Sequence, residues 1–168
     1  KPLIGLMNSK VVNIVLGALS PTLNYTVGNI SSLPIPKNLD TYQSDISDSC
    51  IQIAQNDWDS YETSWDFTQN PIIRTGQTNL EQAFNTWQQQ NADAVAEMKR
   101  LEEENNKLFI DAYGLQDELT PDVPDAQITL TRADREKDSQ RLVSYALGCM
   151  MGRYSLDESG LIYAHAGN

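Results

Sequence analysis

Asp117, Glu118, Asp122 and Asp125 fall in one short stretch and offer hard oxygen donors of the kind that hold Ca2+ or Mg2+. A calcium loop sets its ligands on alternate residues, which these are not, and Pro121 and Pro124 stiffen the segment. A solvated acidic loop is therefore expected, with no metal site. A second set, Asp57, Asp59, Glu62 and Asp66, has the right chemistry for acid–base work. Nothing pairs these carboxylates across a substrate pocket, so they are expected to be caps and surface. The single histidine, His165, has no nucleophile in view, and Cys50 and Cys149 each fall on an apolar helical face, where a thiol packs as a small hydrophobe. There is no GxGxxG, no P-loop and no nucleophile elbow. A self-contained active site is not expected, and no catalytic residue is assigned.

The chain has 168 residues, enough to bury a core without staples. Two cysteines without a Cys/His cluster point to a reducing, cytoplasmic setting and away from structural zinc. No run of about 18 apolar residues exists, so no membrane span is expected. The sequence opens on Lys1 inside an amphipathic pattern, and it is expected to be a segment of a longer protein. Net charge is −11. Residues 1–40 set Lys1, Lys10 and Lys37 against Asp40, whereas 41–75 set six acids against Arg74. Residues 76–119 carry nine acids and three bases, and 120–168 seven and five. Phosphate binding needs clustered Lys and Arg, so any nucleic acid is expected to meet residues 1–40.

The positioning elements centre on one stretch, Thr78 to Leu115, free of Pro and Gly before Gly114. Thr78 and Glu81 have capping-box spacing, and Gly114 is a left-handed stop. Leu80, Phe84, Trp87, Asn91, Ala94, Met98, Leu101, Asn105, Leu108 and Ala112 keep a 4-3-4-3 spacing, which is a heptad register. The predicted helix, about 78–113, is roughly 50 Å long and must bury this stripe on another helix. Candidates are the 134–154 segment, a helix elsewhere in the parent protein, or a second copy. Leu80, Phe84, Trp87, Asn91, Met98, Leu101, Asn105 and Leu108 are the packing residues. Asn91 and Asn105 at a positions are read as register-setting, so Asn91→Leu is expected to raise the melting temperature while broadening the oligomer distribution.

Around that rod, residues 3–19 are predicted as one amphipathic helix, ended by Ser20-Pro21. Thr22–Val27 alternates like a short strand, Gly28-Asn29 turns the chain, and Ile30–Pro36 is extended. A weaker helix covers Asp40–Asn56, followed by a helical turn and an irregular segment to Phe67 that lies against the rod. Ile128–Leu130 is a further short strand, and a last helix spans about 134–154. The fold class is thus mainly α, with a small β element near the N-terminus.

The string LMNSKVVNIVLGALSPTLNYTVGNISSLPIP carries Asn8-Ser9-Lys10, Pro21-Thr22-Leu23-Asn24, Val27-Gly28 and Leu33-Pro34-Ile35. It resembles the end of a target recognition domain in large adenine-specific DNA methyltransferases of the BREX phage-defence type, the PglX family. Type I restriction specificity subunits show a looser version. Asp57-Trp58-Asp59, Glu62 to Phe67, Phe109-Ile110-Asp111, Tyr113 to Leu119, Ser144 to Met150 and Gly152 to Asp157 extend the likeness over nearly the whole chain. The resemblance implies a parent enzyme that methylates adenine N6 in duplex DNA with S-adenosylmethionine. The Asn-Pro-Pro-Tyr motif that holds a flipped adenine is absent, since the only Asn-Pro, Asn70-Pro71, continues Ile72-Ile73. No methyl-donor loop is present either, so this stretch is expected to be inactive alone and to hold no cofactor.

Two parts are accordingly expected: the end of a target recognition domain at 1–40 and a helical spacer at 41–168. Asn8, Ser9, Lys10, Thr22, Asn24 and Lys37 are the candidate DNA-binding residues. The lysines would touch phosphates; Asn8, Ser9, Thr22 and Asn24 would reach bases or cap local backbone. The rival readings are a coiled-coil module that docks other defence-system proteins or a second copy without DNA contact, and a type I specificity subunit. The last predicts a repeated recognition half, which these residues lack.

Overall fold

A computed structural model describes residues 1–20, 24–37, 39 and 45–162. Among the described residues seven α-helices follow one another: α1 Pro2–Met7, α2 Lys10–Leu19, α3 Val27–Ser31, α4 Asp45–Trp58, α5 Pro71–Arg74, α6 Leu80–Tyr113 and α7 Arg135–Met150. Two compact units are built from non-contiguous chain. One comprises residues 1–52 with 97–129, the other 53–96 with 130–168. Helices α4 and α6 each supply residues to both.

In the first unit, the predicted single N-terminal helix is broken into α1 and α2 at Asn8-Ser9. Short polar side chains compete with the helical backbone here. Asn8 Nδ2 donates to the Ile4 carbonyl at 2.9 Å, and the Ser9 hydroxyl accepts from Val12 N–H as the N-cap of α2. The break turns Leu6, Val11, Val12 and Leu16 onto Phe109 and Ile110 of α6, with Leu33 closing the cluster.

The predicted β elements are not formed among the described residues, which contain no strand. Thr22 and Leu23 lie outside those residues. Thr26 is the N-cap of α3, its hydroxyl accepting from Asn29 N–H at 3.3 Å, so Gly28-Asn29 is helical rather than a turn. Ile128 and Leu130 are buried and flank exposed Thr129. Among the described residues that alternation is part of no strand, and it reflects the burial of the two side chains.

Helix α6 starts one residue later than the capping-box spacing predicts. Asn79, not Thr78, caps it, its Oδ1 accepting from Glu81 N–H at 2.9 Å and Gln82 N–H at 3.2 Å. Its end is as expected. Gly114 takes φ 68°, its N–H donating to Asp111 and Leu115 N–H donating to Ile110, the paired pattern that satisfies the last carbonyls. The buried stripe follows the heptad only in the middle. Trp87, Asn91, Met98 and Leu101 are buried, but Leu80 is 61% exposed, and beyond Asn105 the buried face moves to Asn106, Phe109 and Ile110. A straight α-helix drifts about 20° per heptad against a strict seven-residue repeat, which accounts for the shift. In each unit the stripe meets short segments of the same chain.

In the second unit, Ile72, Ala83 and Trp87 form one apolar cluster. Asn70 caps α5, accepting from Ile72 N–H at 3.0 Å, with Pro71 at the first helical position. A second cluster is aromatic. Tyr145 and Tyr154 stack at 5.2 Å between ring centroids, and Phe67 meets both edge-on at 5.9 and 5.5 Å. Gly152, at φ 76°, reverses the chain after α7 and brings Tyr154 over Gly148. A Cβ on Gly148 would lie 2.6 Å from the Tyr154 ring, so only glycine fits.

Gly148→Ala is therefore expected to destabilise the chain by about 1–3 kcal/mol, the usual cost of overpacking. A denaturant melt with an unchanged midpoint would contradict the packing. Burial, reinforced by neighbouring Cys149, pushes the Tyr145 hydroxyl up to about 12. A raised pKa favours the neutral phenol in the folded state. Its contribution is thus complete below about pH 10, the unfolded value, and is lost as pH rises toward 12. A Tyr145→Phe variant should show a smaller loss of stability between pH 10 and 12 than the parent chain in alkaline melts.

Candidate functional site

Helix α6 projects three asparagines that each fasten the backbone of another segment. Asn91 Nδ2 donates to the Thr131 carbonyl at 2.8 Å, and its Oδ1 accepts from Ala133 N–H at 2.9 Å. Asn106 Oδ1 accepts from Lys10 N–H at 2.8 Å, and its Nδ2 donates to the Pro121 carbonyl at 3.1 Å. Asn105 Nδ2 donates to the Gly5 carbonyl at 2.9 Å. Gly5 lacks a Cβ where one would stand 2.8 Å from both Asn105 Oδ1 and Ser47 Oγ, which is why α1 can approach α6 so closely. A carboxamide presents donors and an acceptor together, so it can satisfy a carbonyl and an N–H of irregular chain at once. Asn91 and Asn105 were predicted to set the register of a partner helix; they bind backbone within their own unit instead.

The start of α7 is held by a buried carboxylate. Asp138 accepts from Trp87 Nε1–H at 3.2 Å, from Asp134 N–H at 2.9 Å, and from the Arg141 guanidinium at 2.7 Å. These donors meet the charge that burial would otherwise make costly. Asp134 is the N-cap, and the Lys137 N–H it accepts holds its carboxyl below the usual carboxylate range.

The proposed DNA-binding residues have divergent settings. Ser9 is fully buried as a cap, and the Lys10 ammonium donates to the carbonyls of Thr120 at 2.8 Å and Asp122 at 3.4 Å. Asn8, Asn24 and Lys37 are exposed, and Thr22 lies outside the described residues. Of the acidic residues, Asp57 accepts from Thr131 N–H and Oγ1–H at 3.2 Å, Asp59 from Ser64 Oγ–H at 2.6 Å, and Asp125 pairs with Lys99 at 2.7 Å. Asp59 braces its own turn, whereas Asp57 and Asp125 hold chain 74 and 26 residues away. Among the described residues no group of three His, Cys, Asp or Glu could hold a metal ion. His165 lies outside them. Burial, with the acids Glu102 and Glu97 behind it, pushes the Cys50 thiol up, away from reactive thiolate.

The residues the sequence reading missed are Asn106, Asp138 and Arg141. The Asn105-Asn106 pair was the available signal, since a drifting helix face brings in the neighbour of a heptad position.

The relatives of this chain are adenine-specific methyltransferases. No family model matches the chain. It is 37% identical over 163 residues to adenine-specific methyltransferase PglX of Lacticaseibacillus casei (strain Zhang), a match covering 94% of this chain and 14% of the relative. It is 30% identical over 177 residues to adenine-specific methyltransferase BrxX of Escherichia coli O9:H4 (strain HS), covering 96% and 14%. The chain therefore belongs to the BREX-type adenine-specific methyltransferase family, and it spans about a seventh of the length of the curated relatives it matches.

The Asn91 geometry reverses the expected sign of its leucine variant. Leucine would gain about 1.5–3 kcal/mol of burial. It would leave the Thr131 carbonyl and Ala133 N–H unmet, at about 1–3 kcal/mol each, and add the strain of a misfitted side chain. Asn91→Leu should lower stability by about 1–2 kcal/mol with no change in mass. Thermal melts paired with light scattering check both, and a raised melting temperature would contradict the bracket.

Proposed function

We propose that this chain is a non-catalytic recognition and spacer segment of an S-adenosylmethionine-dependent, adenine-specific DNA methyltransferase that serves phage defence. The homology supports the parent activity. One observation supports the non-catalytic role: the buried asparagines and Asp138 spend their hydrogen-bonding groups on the protein's own backbone and side chains. Groups so engaged are unavailable to a methyl donor or a flipped base. Residues 1–40 are the end of a target recognition domain. Within it, Asn8, Asn24 and Lys37 are exposed enough to meet DNA, with Thr22 in the same stretch, while Ser9 and Lys10 fix the backbone that carries them. Residues 41–168 act as the helical spacer.

A second reading is a protein-docking module. It draws on α7, where Val143, Leu147 and Met150 are 60%, 52% and 83% exposed at helical spacing, an apolar stripe opposite buried Tyr145 and Gly148.

Calorimetric titration of the chain with S-adenosylmethionine should give no saturable heat; micromolar binding would overturn the non-catalytic assignment. Duplex DNA should bind weakly and without sequence preference, and affinity should fall with salt at a slope of about −1, as the one phosphate contact of Lys37 would give. Selection of one short sequence at physiological salt would show instead that the chain reads DNA by itself.

A further inference from the structure

We propose that the outer face of α2 and α3 is a docking surface for the remainder of the parent methyltransferase, an apolar contact within one polypeptide. The inference rests on the parent enzyme proposed above. From Val11 to Pro36 the sequence holds no Asp, Glu, Lys, Arg or His, although 21% of the chain is charged. Helix α2 is apolar on both sides. Val11, Val12 and Leu16 face inward, in one cluster with Phe109 and Ile110, while Ile14, Gly17 and Ala18 form the exposed side. Ile14 is 47% exposed, and a Cβ added to Gly17 would meet no atom within 4 Å. A helix that is apolar all round belongs in an interior, and α2 has only one of its faces covered. Helix α3 is less covered still. It buries none of its residues, and Val27 and Ile30 are 82% and 44% exposed. A five-residue helix draws its stability from packing, which the Thr26 cap alone does not supply.

The chemistry of the face selects its occupant. A phosphate backbone needs cations, and the stretch has none between Lys10, whose ammonium is held by the Thr120 and Asp122 carbonyls, and Lys37. A helix lying on a lipid surface carries a strongly charged outer face, which α2 and α3 lack. A second copy would bring another net charge of −11 against the first. An uncharged protein surface meets none of these costs. The chain spans about a seventh of the length of its curated relatives, so a parent of that size supplies ample protein to cover the face. Asn8 and Lys37 lie outside the uncharged stretch and remain open to DNA.

The test compares the 168-residue chain with the intact parent enzyme. Val27→Cys and Ile30→Cys are made singly in both, and maleimide labelling at each site is followed by mass spectrometry. Labelling is expected to be at least about tenfold slower in the parent, the protection of a covered surface. Val27→Asp should leave the melting midpoint of the chain unchanged and lower that of the parent. Equal labelling rates, or a parent midpoint unmoved by Val27→Asp, overturn the proposal. So does protection that grows with the concentration of the chain alone, which means a second copy. Protection of the chain by phosphatidylcholine vesicles overturns it in favour of a lipid surface. Adenine methylation by the parent, assayed alongside, separates failure of this contact from failure of the parent reading.

Discussion

A buried asparagine is tolerated only where both ends of its amide are met, and α6 carries two, Asn91 and Asn106, each 6% exposed. Their partners are backbone groups that no helical or ladder bond satisfies: Thr131 and Ala133 in one case, Pro121 and the first N–H of α2 at Lys10 in the other. Such segments cannot pair their own N–H and C=O groups, and burying them unpaired would cost more than their apolar contacts return. The long helix removes that cost. Its amides substitute for the missing ladder, so Val123, Ile128 and Leu130 can be buried although the chain around them holds no more than one 3-10 turn, Asp125–Gln127.

The long helix, its glycine stop and the last helix were legible because each follows from a local rule. Gly114 is a left-handed residue after a helical run, and Asp134 precedes the first turn of α7. The small β element was misread because β-branched residues serve more than one purpose. Thr26 caps a helix, and Ile128 and Leu130 alternate only because two of three side chains face the core. The break at Asn8-Ser9 was missed for a related reason: the apolar stripe from Leu3 to Ala18 runs unbroken in projection, while the Ser9 hydroxyl redirects the backbone. Asn91 was recognised as the informative polar residue, but its partner was not. Sequence spacing marks which face an amide occupies and carries no record of a loop forty residues away.

That division bears on function. A methyltransferase site needs polar groups left open for cofactor and base. Among the described residues, Asn91, Asn106 and Asp138 are drawn into the frame instead. Three of the chain's four sections carry net negative charge, and residues 1–40 do not. The homology to PglX and BrxX covers nearly all of this chain and about a seventh of each relative.

The central claim is that the α6 asparagines hold irregular chain in place. Native-state hydrogen exchange measures it at the bonded amides, Ala133 N–H for Asn91 and Lys10 N–H for Asn106. In Asn91→Ala the Ala133 amide should exchange at least about tenfold faster, and in Asn106→Ala the Lys10 amide should do so, the loss expected for about 1.4 kcal/mol of local stability. Amides in the interior of α6 should keep their protection. Unchanged exchange at Ala133 and Lys10 in these variants would contradict the account.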